Sequence, residues 1–461
     1  MTKELTVEQQ EDGTYLRSDG VVLQPAETNP YYVLATVHGE YGRGHDADLA
    51  ARNRRIWNGW ACGGLSDDER AKAAEATGLP IEDLAPLTED ERDLVKAALV
   101  SRLNSDVKPP GSGFASFAAL CFSKPLFFEK FVFNGPAVFS TAHFATYVSF
   151  NGAHFAGSSE FIRVHFAGVV GFASTHFADY ANFVAAHFAS DAYFNTAHFA
   201  EGAVFEAAHF VGNADFDGAR FDQYASFNAA QFGEIADFAF AQFDDAANFD
   251  DGAFAKRTDF DGAKFSTKAP SFFQREMHDN TTFSDRKALW PKVDPETARA
   301  NKNAYRRLRQ VSAAQQNKDN EQFFLRQEMA CDVVLKDDPL SRFLVWGYGL
   351  VSDYGLSVGR PGGALLAFWL VPVRWFVELF KPDFWSTFFA WGPDHWDALG
   401  SAAGFSFSNL FSFFGLGRRH FGDVWQSADS GVHFIGGVQT VLGFIFLFFL
   451  GLGLRNRFRL K

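Results

Sequence analysis

The chain has 461 residues, room for several domains, and 42 Lys and Arg against 55 Asp and Glu leave a formal net charge of −13. With no basic stripe through the first 290 residues, that balance excludes general nucleic-acid binding. Three distant cysteines, Cys62, Cys121 and Cys331, exclude a zinc quartet and a disulfide framework and fit a reducing cytosol. In chain order, the first residues, Met1 to Glu11, are acidic and lack an apolar core, so no cleavable signal peptide is expected. Residues 1–110 are non-repetitive and are expected to form a mixed, mainly helical cap. Ser66-x-x-Glu69 precedes an Ala-rich run, and Thr88-x-x-Glu91 precedes Leu94, Val95, Ala98 and Leu99; both are capping boxes and predict two helices. The stretch Arg52 to Trp60 is rich in Arg and Trp. It serves either as a partner-binding patch or as a cover for the open end of the repeat region downstream. Pro109, Pro110, Gly111 and Gly113 then break the chain.

From Phe117 to Phe265, 28 phenylalanines succeed one another at gaps that alternate five and six, so the period is eleven. An eleven-residue period also suits a helical supercoil. On a helix, however, a Phe five positions on lies roughly 140° round, and no apolar stripe forms. Asn151-Gly152, Asp217-Gly218 and Asp261-Gly262 are turn formers. The remaining reading is a β-solenoid over residues 111–285, in which each Phe and the small residue two before it (Ala153, Ala186, Ala197, Ala219, Ala241) point inward. The repeated A-x-F, as in Ala197-His198-Phe199 and Ala208-His209-Phe210, resembles the pentapeptide-repeat family. That resemblance implies a right-handed quadrilateral β-helix with one five-residue unit on each side. Here every second unit carries one extra residue, giving about 22 residues per coil and about seven coils.

Within the solenoid His143, His154, His165, His176, His187, His198 and His209 recur every eleven residues in a position expected to face outward. With two units per coil they form two ladders on opposite sides, neighbours about 5 Å apart, where imidazoles repel when protonated or share a metal. The plainer reading is repeat copying, since Arg220, Gln231, Gln242 and Lys264 later fill the same slot. Downstream, Asp215, Asp217, Asp222, Glu234, Asp237, Asp244, Asp245, Asp250, Asp251, Asp259 and Asp261 make the surface acidic. The resemblance offers an acidic DNA mimic acting on a type II topoisomerase; a solvated face is the plainer reading.

Residues 286–360 are expected to form a helical linker. Asp294-Pro295 opens one helix through Tyr305 to Arg309, a second covers Asn320 to Lys336, and Pro339 to Val358 suits an interfacial amphipathic helix. In residues 361–461, Val432 to Leu454 is 23 residues without a formal charge, about 35 Å as a helix and enough to cross a bilayer. Arg455, Arg457, Arg459 and Lys461 come next and place that end in the cytoplasm. Pro361 to Phe380, interrupted by Pro372, Arg374 and Glu378, is the earlier span. Arg342 and Arg360 put its start on the same side, and Trp369, Trp375, Trp385, Trp391 and Trp396 suit an aromatic belt.

Between the spans, Ala398 to Phe414 is apolar, carries Ser406, Ser408, Asn409 and Ser412, and is too short for a return crossing, as expected of a re-entrant pore helix. Phe405-Ser-Phe407 is similar to pore helices of the potassium-channel superfamily, and Ser412-Phe-Phe-Gly-Leu-Gly417 resembles its filter pattern at two glycines. The resemblance implies a two-transmembrane ion-channel module. Its filter candidates are Asn409, Ser412, Phe413, Phe414, Gly415, Leu416, Gly417 and Arg418, and its gating hinges Gly436, Gly437 and Gly443. The filter Thr is unmatched, one residue is inserted, and Arg418-Arg419 stand where cation channels place an acid, so potassium selectivity is not carried over.

No nucleophile elbow, phosphate loop or metal-spaced cluster is present beyond the histidines, so neither enzyme activity nor a cofactor is expected. The expectation is a mainly β chain with a helical cap, a helical linker and a C-terminal two-transmembrane hairpin, resident in a bacterial inner membrane with both termini cytoplasmic. It is read as a channel-like homotetramer whose partners are the lipid bilayer, an inorganic ion and a protein docked on the solenoid. A non-conducting, membrane-anchored interaction scaffold is the alternative.

Overall fold

A computed structural model describes residues 5–42, 44–103, 108–389, 392–412, 415 and 419–458, and the chain forms two compact units, Met1–Glu328 and Met329–Lys461. In the first unit the eleven-residue period becomes a β-solenoid of about eight turns built from four parallel sheets. Its strands are mostly two residues long, and each pairs with the strand 22 residues on, as in His154↔His176 with Phe155↔Phe177. Strands this short survive because every coil repeats the register of the one beneath it.

Each sheet contributes one column of phenylalanines to the interior. Along a column the rings stack nearly parallel, for example Phe183 on Phe205 at 4.7 Å and 2°. Between two facing columns, rings eleven residues apart meet edge to face, as Phe172 and Phe183 do at 5.5 Å and 87°. Offset stacking and edge-to-face contact are the two favoured aromatic geometries, and the core satisfies both at once. The columns run one coil further than the seven expected. Phe272 stacks on Phe249, and Phe283 stacks on Phe260, after the even spacing has ended.

The five- and six-residue gaps make two kinds of corner. In the five-residue corner the second residue after Phe is left-handed, as in Phe139-Ser140-Thr141-Ala142, where Thr141 has φ 63° and the Ala142 amide donates to the Phe139 carbonyl. That is the demand of a type II turn. Gly152, Gly218 and Gly262 meet it without strain; Ala185, Ala207 and Arg163 meet it as non-glycine residues.

Both ends of the solenoid are closed. At the first, the strands β1 (Val7–Gln9), β2 (Tyr15–Arg17) and β3 (Val22–Pro25) form an antiparallel meander, and β3 pairs in parallel with Leu120–Phe122. The helices α1 (Pro30–Ala35), α2 (Ala47–Ala61), α3 (Asp67–Thr77) and α4 (Glu89–Leu103) come after them. The capping boxes of α3 and α4 form as expected. From α2, Trp57 lies on Phe131 at 5.5 Å and donates Nε1 to the Val132 carbonyl, while Asn58 brackets the Lys130 carbonyl and the Val132 amide. The Arg52–Trp60 stretch therefore includes the cover over the open end. The cap contains strands as well as the expected helices.

At the other end Arg275 is buried, its guanidinium 4.5 Å from the Phe254 ring centre, donating to the backbone carbonyls of Phe227, Ala230 and Phe249. The helices α5 (Ala298–Ala314) and α6 (Lys318–Val334) are the two expected linker helices. Trp290, Tyr305 and Phe324 pack together beside Phe265 and Phe283, so the first unit extends to Glu328.

The second unit contains α7 (Pro339–Ser352), α8 (Gly359–Leu370), α9 (Val373–Phe380), α10 (Pro393–Leu410), a short helix Gly422–Ser427 and a long terminal helix Ser430–Phe458. Two helical stretches, Gly359–Phe380 and Ser430–Asn456, are long and apolar enough to cross a membrane. The first is α8 and α9 joined through Val371-Pro372. Helix α10 starts five residues before the expected pore helix. It packs against α8, α9 and the terminal helix.

Candidate functional site

Two regions carry polar groups in unusual places. The first is the pair of histidine ladders, which form on separate sheets: His143, His165, His187 and His209 on one, His154, His176 and His198 on the other. Adjacent rings lie 4.8–5.4 Å apart, matching the expected rise. The expectation that this position meets water needs correction at the N-terminal end. His143, His154 and His165 are buried, because the cap covers the first coils: buried Arg17 donates to the Thr141 carbonyl, and α3 lies against the His154–Phe155 strand.

The Nδ1 atoms of His143 and His165 are 2.9 Å apart, and those of His154 and His176 are 3.1 Å apart. One Nδ1 must carry a proton and the other must accept, so at least one ring of each pair is neutral. Burial pushes His143 down to about 4, with the Arg17 charge adding to it, and His154 down to about 4, with His176 adding. His165 falls to about 3 through burial and then its two ladder neighbours. His176, His187 and His209 are lowered as well, burial again leading. The ladder ends at His198, whose Nε2 meets the Asp222 carboxylate at 2.9 Å, with Arg220 on the other carboxylate oxygen. Among the described residues no group of three or more His, Cys, Asp or Glu side chains is arranged to hold a metal ion.

The second region lies where α8, α10 and the terminal helix meet. Pro372 has no N–H for the carbonyl of Phe368 four residues earlier, so the helical hydrogen bonds break there. Gln439 Nε2 donates to the Phe368 carbonyl at 2.7 Å, and Ser406 Oγ donates to the Trp369 carbonyl at 2.6 Å. Gln439 also reaches Ser406 Oγ at 2.7 Å, with Asn409 Nδ2 at 3.5 Å from its Oε1, and Thr440 donates to the Asn409 carbonyl. Ser406, Asn409 and Gln439 are all buried. In an apolar surrounding an unmade backbone bond costs several kcal/mol, and this network removes two. Neither Gln439 nor Thr440 stood out in the sequence, although they are the adjacent polar pair inside an otherwise apolar run. Together with a proline in the opposite span, that is a legible signal.

Of the filter candidates, Asn409 points into this network, while Ser412 and Gly415 are exposed, Gly415 with φ 71°. Phe413, Phe414, Leu416, Gly417 and Arg418 lie outside the described residues, as do Trp391, Arg459 and Lys461. The terminal helix passes through Gly436, Gly437 and Gly443 without a break. A Cβ on Gly443 would collide with the Leu410 carbonyl and one on Gly436 with the Trp425 ring, so these two permit close packing, whereas Gly437 faces open space. Of the tryptophans, Trp375, Trp385 and Trp396 are exposed, and Trp369 donates to the Ala403 carbonyl.

The repeat chemistry has a match among known families. Residues 183–231 match the family model for pentapeptide repeats (9 copies). No curated protein and no solved structure matches the chain. The columns and the 22-residue register of the matched segment continue in both directions, from Ala115 to Phe265, and the columns reach Phe283 through a last coil of 23 residues.

Proposed function

We propose that the chain is an integral membrane protein of channel-like organisation, held in a bacterial inner membrane with both termini in the cytoplasm, whose pentapeptide-repeat solenoid is a cytosolic sensing or docking domain. The observation that carries this reading is the order of elements in the second unit: an apolar helical stretch, a shorter helix α10 with buried Ser406, Ser408 and Asn409, a glycine-bearing loop, and a second apolar helix. In this reading α10 is re-entrant, four copies surround an axis near Gly415, and an inorganic ion passes there. The solenoid is the right-handed, square-sectioned coil of its family and offers a protein partner its surface, without nucleic acid, a cofactor or an enzymatic reaction.

A second reading, a non-conducting membrane-anchored scaffold, is favoured by the closure of the Ser406–Gln439–Asn409 network, which uses its polar groups structurally. Planar-bilayer recording of the purified protein separates the two. The channel reading expects unitary currents, and a silent bilayer at every voltage and pH leaves the scaffold.

A further inference from the structure

A cleft of about 870 Å3 lies in the first unit between the last solenoid turn and α5, within the size range of small-molecule sites. On α5 the small residues Ala300, Ala304 and Ala314, with Val311, recur at helical spacing along the cleft, flanked by Asn303 and Gln310. The opposite wall offers Met277 and an exposed Phe273 beside the polar Ser271 and Gln274. Arg307 stands in the middle of this face. Its Nη2 donates to the Arg275 carbonyl at 2.8 Å, its Nε is buried without a hydrogen-bond partner, and it joins no ion pair among the described residues. The neighbouring cations are engaged, Arg306 and Arg309 on Glu328 at 2.9 Å each and Arg275 on three carbonyls. Glu276 and Asp279 also line the cleft, but both are exposed to solvent, which screens them, while Arg307 is half-buried.

We propose that this cleft binds a water-soluble organic anion, a phosphate or carboxylate on a compact apolar body. Arg307 takes the charged group in a charge-assisted hydrogen bond, and Phe273, Met277 and the alanine face take the body. Arg307 Nη1 makes no hydrogen bond among the described residues and is the donor open to such an acceptor, whereas the buried Nε is sealed from the cleft. The proposal involves the first unit alone and holds whether or not the second conducts.

Calorimetric titration of the full chain in detergent with phenylphosphate tests it, with inorganic phosphate as the charge-only probe. Saturable binding of phenylphosphate is expected, at least tenfold tighter than inorganic phosphate. Arg307→Gln should weaken it tenfold or more and Arg307→Lys less. Ala300→Trp, at an exposed rim position, should block the cleft without loss of fold. No binding of phenylphosphate, equal binding by Arg307→Gln and the native chain, or unchanged binding by a folded Ala300→Trp each overturns the site. Displacement by vesicles of phosphatidic acid overturns the soluble source.

Discussion

The two units place the same kind of residue on opposite sides. In the solenoid no column phenylalanine is more than 6% exposed, whereas 21 of the 35 large hydrophobic side chains exposed among the described residues belong to the second unit. In the membrane-protein reading proposed above, the reversal follows from the solvent. A chain surrounded by water puts benzyl groups inside and pairs its carbonyls with amides of the neighbouring coil; one surrounded by lipid displays Phe, Leu and Trp and must satisfy every backbone group within itself. The Gln439 and Ser406 bonds to the Phe368 and Trp369 carbonyls do in the second unit what stacked strands do in the first.

The sharpest way to break this contrast is to truncate one Phe on each side. Phe183→Ala leaves a cavity between Phe161 and Phe205 and is expected to cost about 3–5 kcal/mol, read as a shift of the denaturant midpoint for the strand signal in circular dichroism. Phe448→Ala, at a position 66% exposed, is expected to change stability in detergent by less than about 0.5 kcal/mol. Comparable losses from the two would show that the second unit has a water-type core.

Acid distinguishes the units next. His143, His154 and His165 carry folded values of about 4, 4 and 3, below the ordinary 6.5, so the unfolded chain takes up protons first as the pH falls. The stability linked to these groups is complete above about pH 6.5 and is lost as the pH drops through about 4 for His143 and His154 and about 3 for His165, by up to about 3 kcal/mol for each of the first two and about 5 kcal/mol for the last. Melting of the solenoid strands, tracked across that window, should fall steeply in the native chain and less in His165→Asn. An unchanged slope would place the acid sensitivity elsewhere.

In the second unit Gln439→Leu removes the donor to the Phe368 carbonyl inside an apolar contact and should destabilise the helical signal by about 1–3 kcal/mol. Coupling Gln439→Leu with Ser406→Ala in a double-mutant cycle should give a non-additive result, because the two side chains also bond each other. Strict additivity would mean that the two side chains support the turn before Pro372 independently of each other.

These features differ in how far they could be read from sequence. The coil, its register and its inward Phe come from one local rule repeated without change, and so do the two helices with reciprocal Ser66–Glu69 and Thr88–Glu91 caps. Burial of His143, His154 and His165 is not local: the same His-Phe step is covered near the cap and half-exposed at His187, and what decides is the N-terminal meander and α3, far away in the chain. The roles of Arg275 and Arg17 are illegible in sequence for the same reason. An isolated arginine reads as surface until three carbonyls or a neighbouring coil are known to face it. In the second unit, length and hydropathy expose the two long helices, but the partnership of Gln439 with the turn before Pro372 depends on how three helices meet.

The smallest effect tests the corners of the solenoid. Ala207 is exposed and has φ 53°, a left-handed conformation that costs an L-residue roughly 1–2 kcal/mol, whereas Ala200, in the six-residue corner, has no positive φ. Glycine relieves the first strain but adds about 0.4–1 kcal/mol of unfolded-chain freedom at either place. Ala207→Gly should therefore stabilise the protein by up to about 1 kcal/mol, and Ala200→Gly should destabilise it by a similar amount, read as opposite shifts of the same melting transition. Shifts of equal sign would mean that the two corners share one backbone geometry, and the alternation of five and six would then lose its structural meaning.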